Sequence, residues 1–365
     1  MPPSDATFLS TLAAEVERSR ENLHLDNYDV SQLGPYRGEK HREDLVGPKV
    51  ERPDDGAPHE LASRLSQFAD VGFLHGILAD QESRDLLIKL FAYRTLGYRK
   101  VKLPRNTERY WDDIQAVRST ATTSPPIPIA YMDLRLARHD LHRFAYDLQI
   151  YGTAAGLACT FVQKQYEYHR GGVVCKAEPG DVAIDAGACW GETTVYFAHE
   201  VGAQGRVLSF EFIPTNLAVL RRNLEANLPL AGRVDVVENP LWSTSGHTLY
   251  YVDWGPGSRV SPDPSRYPGG GRCSTVSIDE AVSTRRVPRV DFIKMDIEGA
   301  ELPALKGGER TLRAHRPKLA ISLYHQLSDF ITIPRYLESL NLGYSYYLDH
   351  HTIYLNETVL FAVPS

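Results

Sequence analysis

A carboxylate that closes an apolar run, with glycines directly behind it, is the feature of this chain most able to do chemistry. It lies in Asp181-Val-Ala-Ile-Asp-Ala-Gly-Ala-Cys-Trp-Gly-Glu-Thr-Thr-Val-Tyr-Phe-Ala198, where Asp185 ends the run and Gly187 and Gly191 follow. Pro179-Gly180 precede the stretch and apolar residues at helical spacing succeed it, so it predicts a strand, a glycine turn and a helix. A backbone without Cβ reaches positive φ and lets a ligand approach the main chain, while the free N–H groups of the helix start point into the same space. Such a turn cradles a cofactor, with Gly187, Ala188 and Gly191 as its expected contacts.

The details of the turn select the cofactor. A dinucleotide fingerprint needs G-x-G-x-x-G, glycines placed to fit a pyrophosphate. Asp185-Ala-Gly187-Ala-Cys-Trp-Gly191 lacks that spacing, and a carboxylate at the strand end repels phosphate. It suits an ammonium group, which the methionine part of S-adenosylmethionine offers. One strand later, Arg206-Val-Leu-Ser-Phe-Glu211-Phe ends in a second acid, near the spacing at which a carboxylate meets a ribose diol. Asp185 and Glu211, with Phe212 beside the latter, favour S-adenosylmethionine over NAD. Asn239 and Leu241, in Asn239-Pro-Leu-Trp242, are candidate adenine contacts.

Alternating elements must position these groups. Strands are predicted at Asp181–Asp185, Val207–Phe212, Val234–Glu238, Val290–Asp296, Lys318–Tyr324, Tyr344–Leu348 and Thr358–Val363, and helices at Gly191–Val201, Pro214–Asn227, Leu302–Ala314 and Ser328–Leu340. Pro214 suits a first helical position, where its missing N–H costs nothing. The alternation implies parallel strands joined by right-handed crossovers. No helix separates the last two strands, so they form a hairpin turning around Asn356-Glu357, with one strand reversed. Ligands of such sheets bind outside the carboxyl ends of the strands. The fold class is therefore α/β, a mostly parallel seven-stranded sheet with an antiparallel C-terminal strand.

Before Gln163 the chain reads differently. Thr7 to Arg20 has helical spacing, Asn27 to His59 reads as a linker rich in Pro, Gly and charge, and Leu61 to Leu90 is helical in two pieces, with Asp80 as an N-cap. Leu96 to Ile129 reads as an irregular connection. Residues 1–160 are thus expected to form a mainly helical extension, acting as a cap or in oligomerisation as a homodimer contact, and residues 161–365 the α/β domain. Trp254 to Arg272, with Gly269-Gly-Gly271, reads as a mobile loop near the site.

The sequence resembles the FkbM family of S-adenosylmethionine-dependent methyltransferases. The resemblance is carried by Val182-Ala-Ile-Asp-Ala-Gly-Ala, Ser209-Phe-Glu-Phe with Asn216-Leu, Ile278-Asp279, Val290-Asp-Phe-Ile-Lys-Met-Asp-Ile-Glu-Gly-Ala-Glu301 and Pro317-Lys-Leu-Ala-Ile-Ser-Leu-Tyr-His325. Asp80-Gln-Glu-Ser-Arg followed by Tyr93-Arg94 is similar to the helical lead-in of longer members. The resemblance implies the Rossmann-like class I methyltransferase fold and O-methylation of a hydroxyl on a saccharide, glycan or secondary metabolite.

In that setting Asp296 and Glu298 stand at the mouth of the site, Asp296 beside the transferring methyl. The competing reading makes them N-terminal caps for the helix after Gly299. His325 ends the next strand, where a neutral imidazole can accept the acceptor's hydroxyl proton. Asp296, Glu298 and His325 also offer oxygen and nitrogen ligands to Mg²⁺ or Mn²⁺, although their spacing demands no metal.

With 365 residues the chain can bury a sizeable core, and a net charge of −6 gives no basic footprint for nucleic acid. No apolar run reaches transmembrane length and Met1-Pro-Pro-Ser-Asp lacks the start of a signal peptide, so a cytoplasmic enzyme is expected. Cys159, Cys175, Cys189 and Cys273 form no C-x-x-C pair. Two other readings stand beside the methyltransferase: a catalytically silent binding subunit of the same fold, and an NAD-dependent sugar-modifying oxidoreductase, which the missing third glycine opposes.

Overall fold

The computed structural model describes residues 5–24, 27 and 64–365. The expected linker from Asn27 to His59 therefore lies, apart from Asn27, outside the described residues. Seven strands make the central sheet: β1 (Val182–Ala186), β2 (Arg206–Phe210), β3 (Val234–Val237), β4 (Phe292–Met295), β5 (Lys318–Ser322), β6 (Tyr344–His350) and β7 (Thr358–Pro364). Their order is β6-β7-β5-β4-β1-β2-β3. The pairs from β5 through β4, β1 and β2 to β3 are all parallel.

The hairpin of β6 and β7 is antiparallel, since His351 N–H bonds Glu357 O at one end and Ser365 N–H bonds Gly343 O at the other. Its connection is longer than a tight turn at Asn356-Glu357: seven residues, 351–357, separate the strands, and Glu357 takes a left-handed φ of 64°. His350 and His351 are interior residues of this hairpin. His350 Nδ1 meets Thr358 Oγ1 at 2.8 Å, and burial, with the neighbouring His351, pushes its pKa down to about 3.

The chain divides into two compact units, one of residues 1–110, 323–361 and 365, the other of residues 111–322 and 362–364. In the first, the helices Asp5–Ser19 and Gln81–Leu96 share an aromatic cluster in which Phe91 meets Phe8, Phe68 and Phe330 edge-on at 5.0–6.0 Å. Asp80 is the N-cap the sequence predicts, its carboxylate accepting Ser83 N–H at 2.6 Å. Ser83 in turn uses its Oγ to accept Leu348 N–H of β6 at 2.9 Å.

In the second unit, β1 is buried at every position, as a central parallel strand must be. The helix Glu192–Glu200 covers it with Val195, Tyr196, Phe197 and Ala198, and Phe197 packs on Phe292 of β4 at 5.4 Å. Pro214 opens the helix Pro214–Ala226, as expected. The single helix expected at Leu302–Ala314 is two, Glu301–Lys306 and Glu309–His315. They part at Gly307, where a Cβ would sit 2.1 Å from Trp242 O. A further helix, Ile278–Thr284, has the side chain of Ser277 as its N-cap.

Trp254 to Arg272 is not the loop its composition suggests. It contributes Arg259–Ser261 and the start of Gly271–Ser274 to a three-stranded antiparallel sheet, both pairing with Thr248–Val252. The glycines serve close approach: a Cβ on Gly270 would lie 2.1 Å from Tyr251 O, and one on Gly271 2.2 Å from the Tyr251 ring. Composition marks glycine without saying whether freedom or proximity is needed.

Candidate active site

The parallel register brings Lys294 of β4 and Ser209 of β2 alongside Asp185 of β1. In-register neighbours point to the same face, so an acid and a base meet inside the sheet. Asp185 is fully buried, and Lys294 Nζ lies 3.0 Å from its Oδ1. Thr193 Oγ1 donates to both carboxylate oxygens at 2.9 and 3.1 Å, and Thr194 Oγ1 to Oδ2 at 2.7 Å. The ammonium of Lys294 also donates to Ala186 O at 3.1 Å and Gly187 O at 2.6 Å. Its three protons thus meet three acceptors. Burial opposes the Lys294 charge, but Asp185 and Asp296 outweigh it and the pKa is raised.

This pair fixes the turn at its first residue. Gly187, Cys189 and Gly191 all have positive φ, at 84°, 48° and 88°. Gly187 is required twice over, because a Cβ there would lie 1.9 Å from Asp296 O. The Gly187 and Ala188 N–H groups bond Phe210 O at 3.1 and 3.0 Å, which fastens the turn to the end of β2.

A cleft with about 580 Å³ of empty space, its open mouth included, lies at these strand ends. Gly187, Glu211, Phe212, Asn239, Leu241, Asp296 and Glu298 line it, as do Cys189, Ile213, Asn216, Pro240 and Ala300. Gly255, Pro256, Ser258 and Val260 supply a wall from the short 3-10 turn Gly255–Gly257 and the strand Arg259–Ser261 of the small antiparallel sheet that follows it. Asp185, Ala188 and Gly191 do not line it, and Asp185 sits behind the turn with its oxygens engaged. His325 belongs to the other compact unit, three residues beyond β5, with its ring 4.2 Å from that of Tyr324.

Glu211 is the acid that faces the cleft. Phe212 and Ile213 N–H donate to its Oε1 at 2.7 and 2.8 Å, and Asn216 Nδ2 approaches Oε2 at 3.3 Å. Burial, against the pull of those N–H groups, pushes its pKa up to about 7. Among the described residues, Asn216 Oδ1 is buried with no hydrogen-bond partner, although it lines the cleft. A carboxylate and an amide oxygen side by side can accept two hydroxyl donors, as a ribose diol presents. Phe212, Pro240 and Leu241 supply apolar walls of the kind a purine needs. The donor set fits an adenosine.

Across the cleft, β4 ends at Met295, so the period-two alternation of Lys294, Asp296 and Glu298 is broken there. Lys294 turns inward while Asp296 and Glu298 reach the cleft. Tyr166 Oη donates to Asp296 Oδ2 at 2.8 Å, and Arg259 Nε lies 3.3 Å from Glu298 Oε2. Glu298 and Gly299 take φ of 57° and 97°, a reversal that feeds the next helix. Glu301, the first residue of that helix, reaches back to accept Ile297 N–H at 2.8 Å. Cys189 stays a thiol at neutral pH, since burial and then Glu192 and Glu211 push its pKa well up.

Residues 185–346 match the family profile of the methyltransferase FkbM domain. This chain carries an FkbM methyltransferase domain. Its sheet is that of the class I methyltransferase fold, as the sequence predicts. A methyltransferase FkbM from Methylobacillus flagellatus KT has a solved structure with 21% identity and a TM-score of 0.52, the match covering 83% of this chain and 60% of that one. The present chain thus spans about three-fifths of that protein's length, and the likeness is one of fold. Weaker likenesses include an S-adenosylmethionine-dependent O-methyltransferase from Thermotoga maritima, at 16% identity, 51% and 60% coverage and a TM-score of 0.31. Another is Aeropyrum pernix fibrillarin with bound S-adenosylmethionine, at 13% identity, 63% and 90% coverage and a TM-score of 0.36. Among curated proteins none matches.

Of the residues that line the cleft, the sequence did not single out Asn216 and Ile213 as contacts. Asn216 lies in the first turn of the helix Pro214–Ala226, just after Glu211 in the FkbM domain's Ser209-to-Leu217 segment, which was the available signal. The wall lies in the Trp254–Arg272 segment that the sequence already sets near the site; what local composition could not show is the strand pairing that holds it there.

Two outcomes follow from this geometry. Lys294→Met leaves Asp185 buried without a counter-charge and is expected to cost about 3–5 kcal/mol of unfolding free energy, measured by urea denaturation; a loss below about 1 kcal/mol would show that the pair does not hold the turn. For Glu211 the folded pKa of about 7 exceeds its ordinary 4.5. Between these values the folded chain holds the extra proton, so stability falls as pH rises. Denaturation series from pH 4.5 to 7.5 should therefore show a steeper decline for the wild type than for Glu211→Gln; parallel curves would contradict the assignment.

Proposed function

We propose that the chain is an S-adenosylmethionine-dependent O-methyltransferase acting on a hydroxyl of a saccharide, glycan or secondary metabolite. The observation that carries the reading is Glu211, pinned by two backbone N–H groups beside the unpartnered Asn216 Oδ1 in a cleft behind a Gly187 turn. When bound, the cofactor supplies a methyl group on a sulfonium. Glu211 and Asn216 would hold the ribose hydroxyls, with Phe212, Asn239 and Leu241 at the adenine. Asp296, oriented by Tyr166, would stand at the methyl group.

Asp185 acts through Lys294, which sets the main chain of Ala186 and Gly187. His325 takes the proton of the acceptor hydroxyl, whose own acidity is too low for attack at neutral pH. Nothing in this reading calls for a divalent ion at Asp296, Glu298 and His325, because the sulfonium is itself electrophilic. The protein contributes orientation and exclusion of water. The saccharide or secondary-metabolite acceptor, the cap or dimer role of residues 1–160 and the cytoplasmic setting rest on the sequence. Among the described residues no helix is long and apolar enough to cross a membrane.

Calorimetric titration with S-adenosylmethionine, S-adenosylhomocysteine and NAD tests the cofactor. Binding of the first two but not NAD is expected; binding of NAD alone would replace this reading by the oxidoreductase. With a hydroxylated acceptor that is turned over, His325→Ala should lower kcat by the order of 10²–10⁴ while leaving cofactor affinity intact, and an unchanged kcat would remove the base from the scheme.

A further inference from the structure

We propose that the cleft sorts the cofactor by charge, Asp296 and Glu298 favouring the cationic sulfonium over the neutral thioether that remains after transfer. The inference rests on the S-adenosylmethionine reading and adds to it a means of telling the loaded cofactor from the spent one. When the S–C bond breaks, its electron pair stays on sulfur, the methyl carbon bonds the acceptor oxygen and the hydroxyl proton passes to the base. The ligand in the cleft thereby loses one positive charge.

Among the residues that line the cleft, Glu211, Asp296 and Glu298 are acids, and none is a lysine, arginine or histidine. All three acids belong to one compact unit. That the space takes a ligand is indicated independently by Asn216, which is 2% exposed and lines it, and whose Oδ1 has no hydrogen-bond partner among the described residues. Burial holds the Glu211 pKa up at about 7, so near neutral pH it carries part of a charge, and the sorting falls to the two acids across the cleft.

The cations near those two acids do not cancel them. Lys294, whose charge acts on Asp296, is buried behind the turn and matched by Asp185 at 3.0 Å. The donor to Asp296 Oδ2 is the hydroxyl of Tyr166, which brings no charge. Arg259 approaches Glu298 at 3.3 Å, but its side chain is 48% exposed, and an ion pair so open to water is worth little. Glu298 is also kept at a backbone cost. Its φ of 57° lies in the left-handed region that glycine or asparagine adopts more easily, yet the chain sets a glutamate there and it lines the cleft. Such strain marks positions whose side chain the site uses.

The test compares S-adenosylmethionine, S-adenosylhomocysteine and sinefungin, which carries an ammonium group in place of the sulfonium, by calorimetry near neutral pH. The wild type is expected to bind the two cationic ligands roughly tenfold or more tightly than S-adenosylhomocysteine, since a unit charge acts far more strongly in a half-closed cleft than in bulk water. Asp296→Asn and Glu298→Gln, which remove charge and keep shape, should each lower that ratio by about threefold or more while leaving S-adenosylhomocysteine within about twofold. Where one variant does not fold, the other supplies the comparison. Equal or tighter binding of S-adenosylhomocysteine by the wild type, or variants that weaken all three ligands alike, would overturn the charge sorting while leaving the cofactor reading intact. Failure of the wild type to bind any of them would overturn both.

Discussion

The buried ion pair of Lys294 and Asp185 is the contact on which the site depends. An ammonium group in the middle of a parallel sheet is unfavourable unless each proton finds an acceptor, and here two of the three acceptors are main-chain carbonyls of Ala186 and Gly187. The pair therefore does more than neutralise itself: it sets where β1 stops and the turn begins. From that point Gly187 can press against Asp296 O, and the ends of β1, β2 and β4 converge on one cleft.

The acids divide between two layers for a physical reason. Asp185 is in register with a lysine, flanked by hydroxyls and sealed from solvent, so it is an internal anchor. Glu211 is held by the N–H groups of the residues that follow it and lines the cleft, so it is a receiver. Both end apolar strands, and in sequence they look alike. Their environments separate them: Asp185 is paired with a lysine inside the sheet, while Glu211 lines the cleft, where burial raises its pKa.

The small antiparallel sheet gives the cleft its outer wall. Asn216 Nδ2 donates to Gly255 O at 3.2 Å, and Thr215 Oγ1 to Asp253 Oδ2 at 2.8 Å, so the wall is tied to the helix that begins at Pro214. The same Asn216 that approaches Glu211 thus also anchors the wall. One side chain coordinates the inner acid with the outer boundary.

The sequence alone determined the α/β alternation, the reversed C-terminal hairpin, the Asp80 and Pro214 helix starts and the family resemblance, because each is written in local periodicity, turn chemistry or a short motif. It also named Glu211, Asn239, Leu241, Asp296 and Glu298, which do line one cleft, since strand ends of a parallel sheet must lie at one edge. Only the tertiary structure decided that Lys294 belongs to Asp185, that Asp185 lies behind the turn, and that a glycine-rich segment pairs as strands. Those outcomes depend on register between strands more than 100 residues apart and on which donors are already taken. Periodicity gives the face of a residue within its own strand, and says nothing of what the neighbouring strand sets beside it.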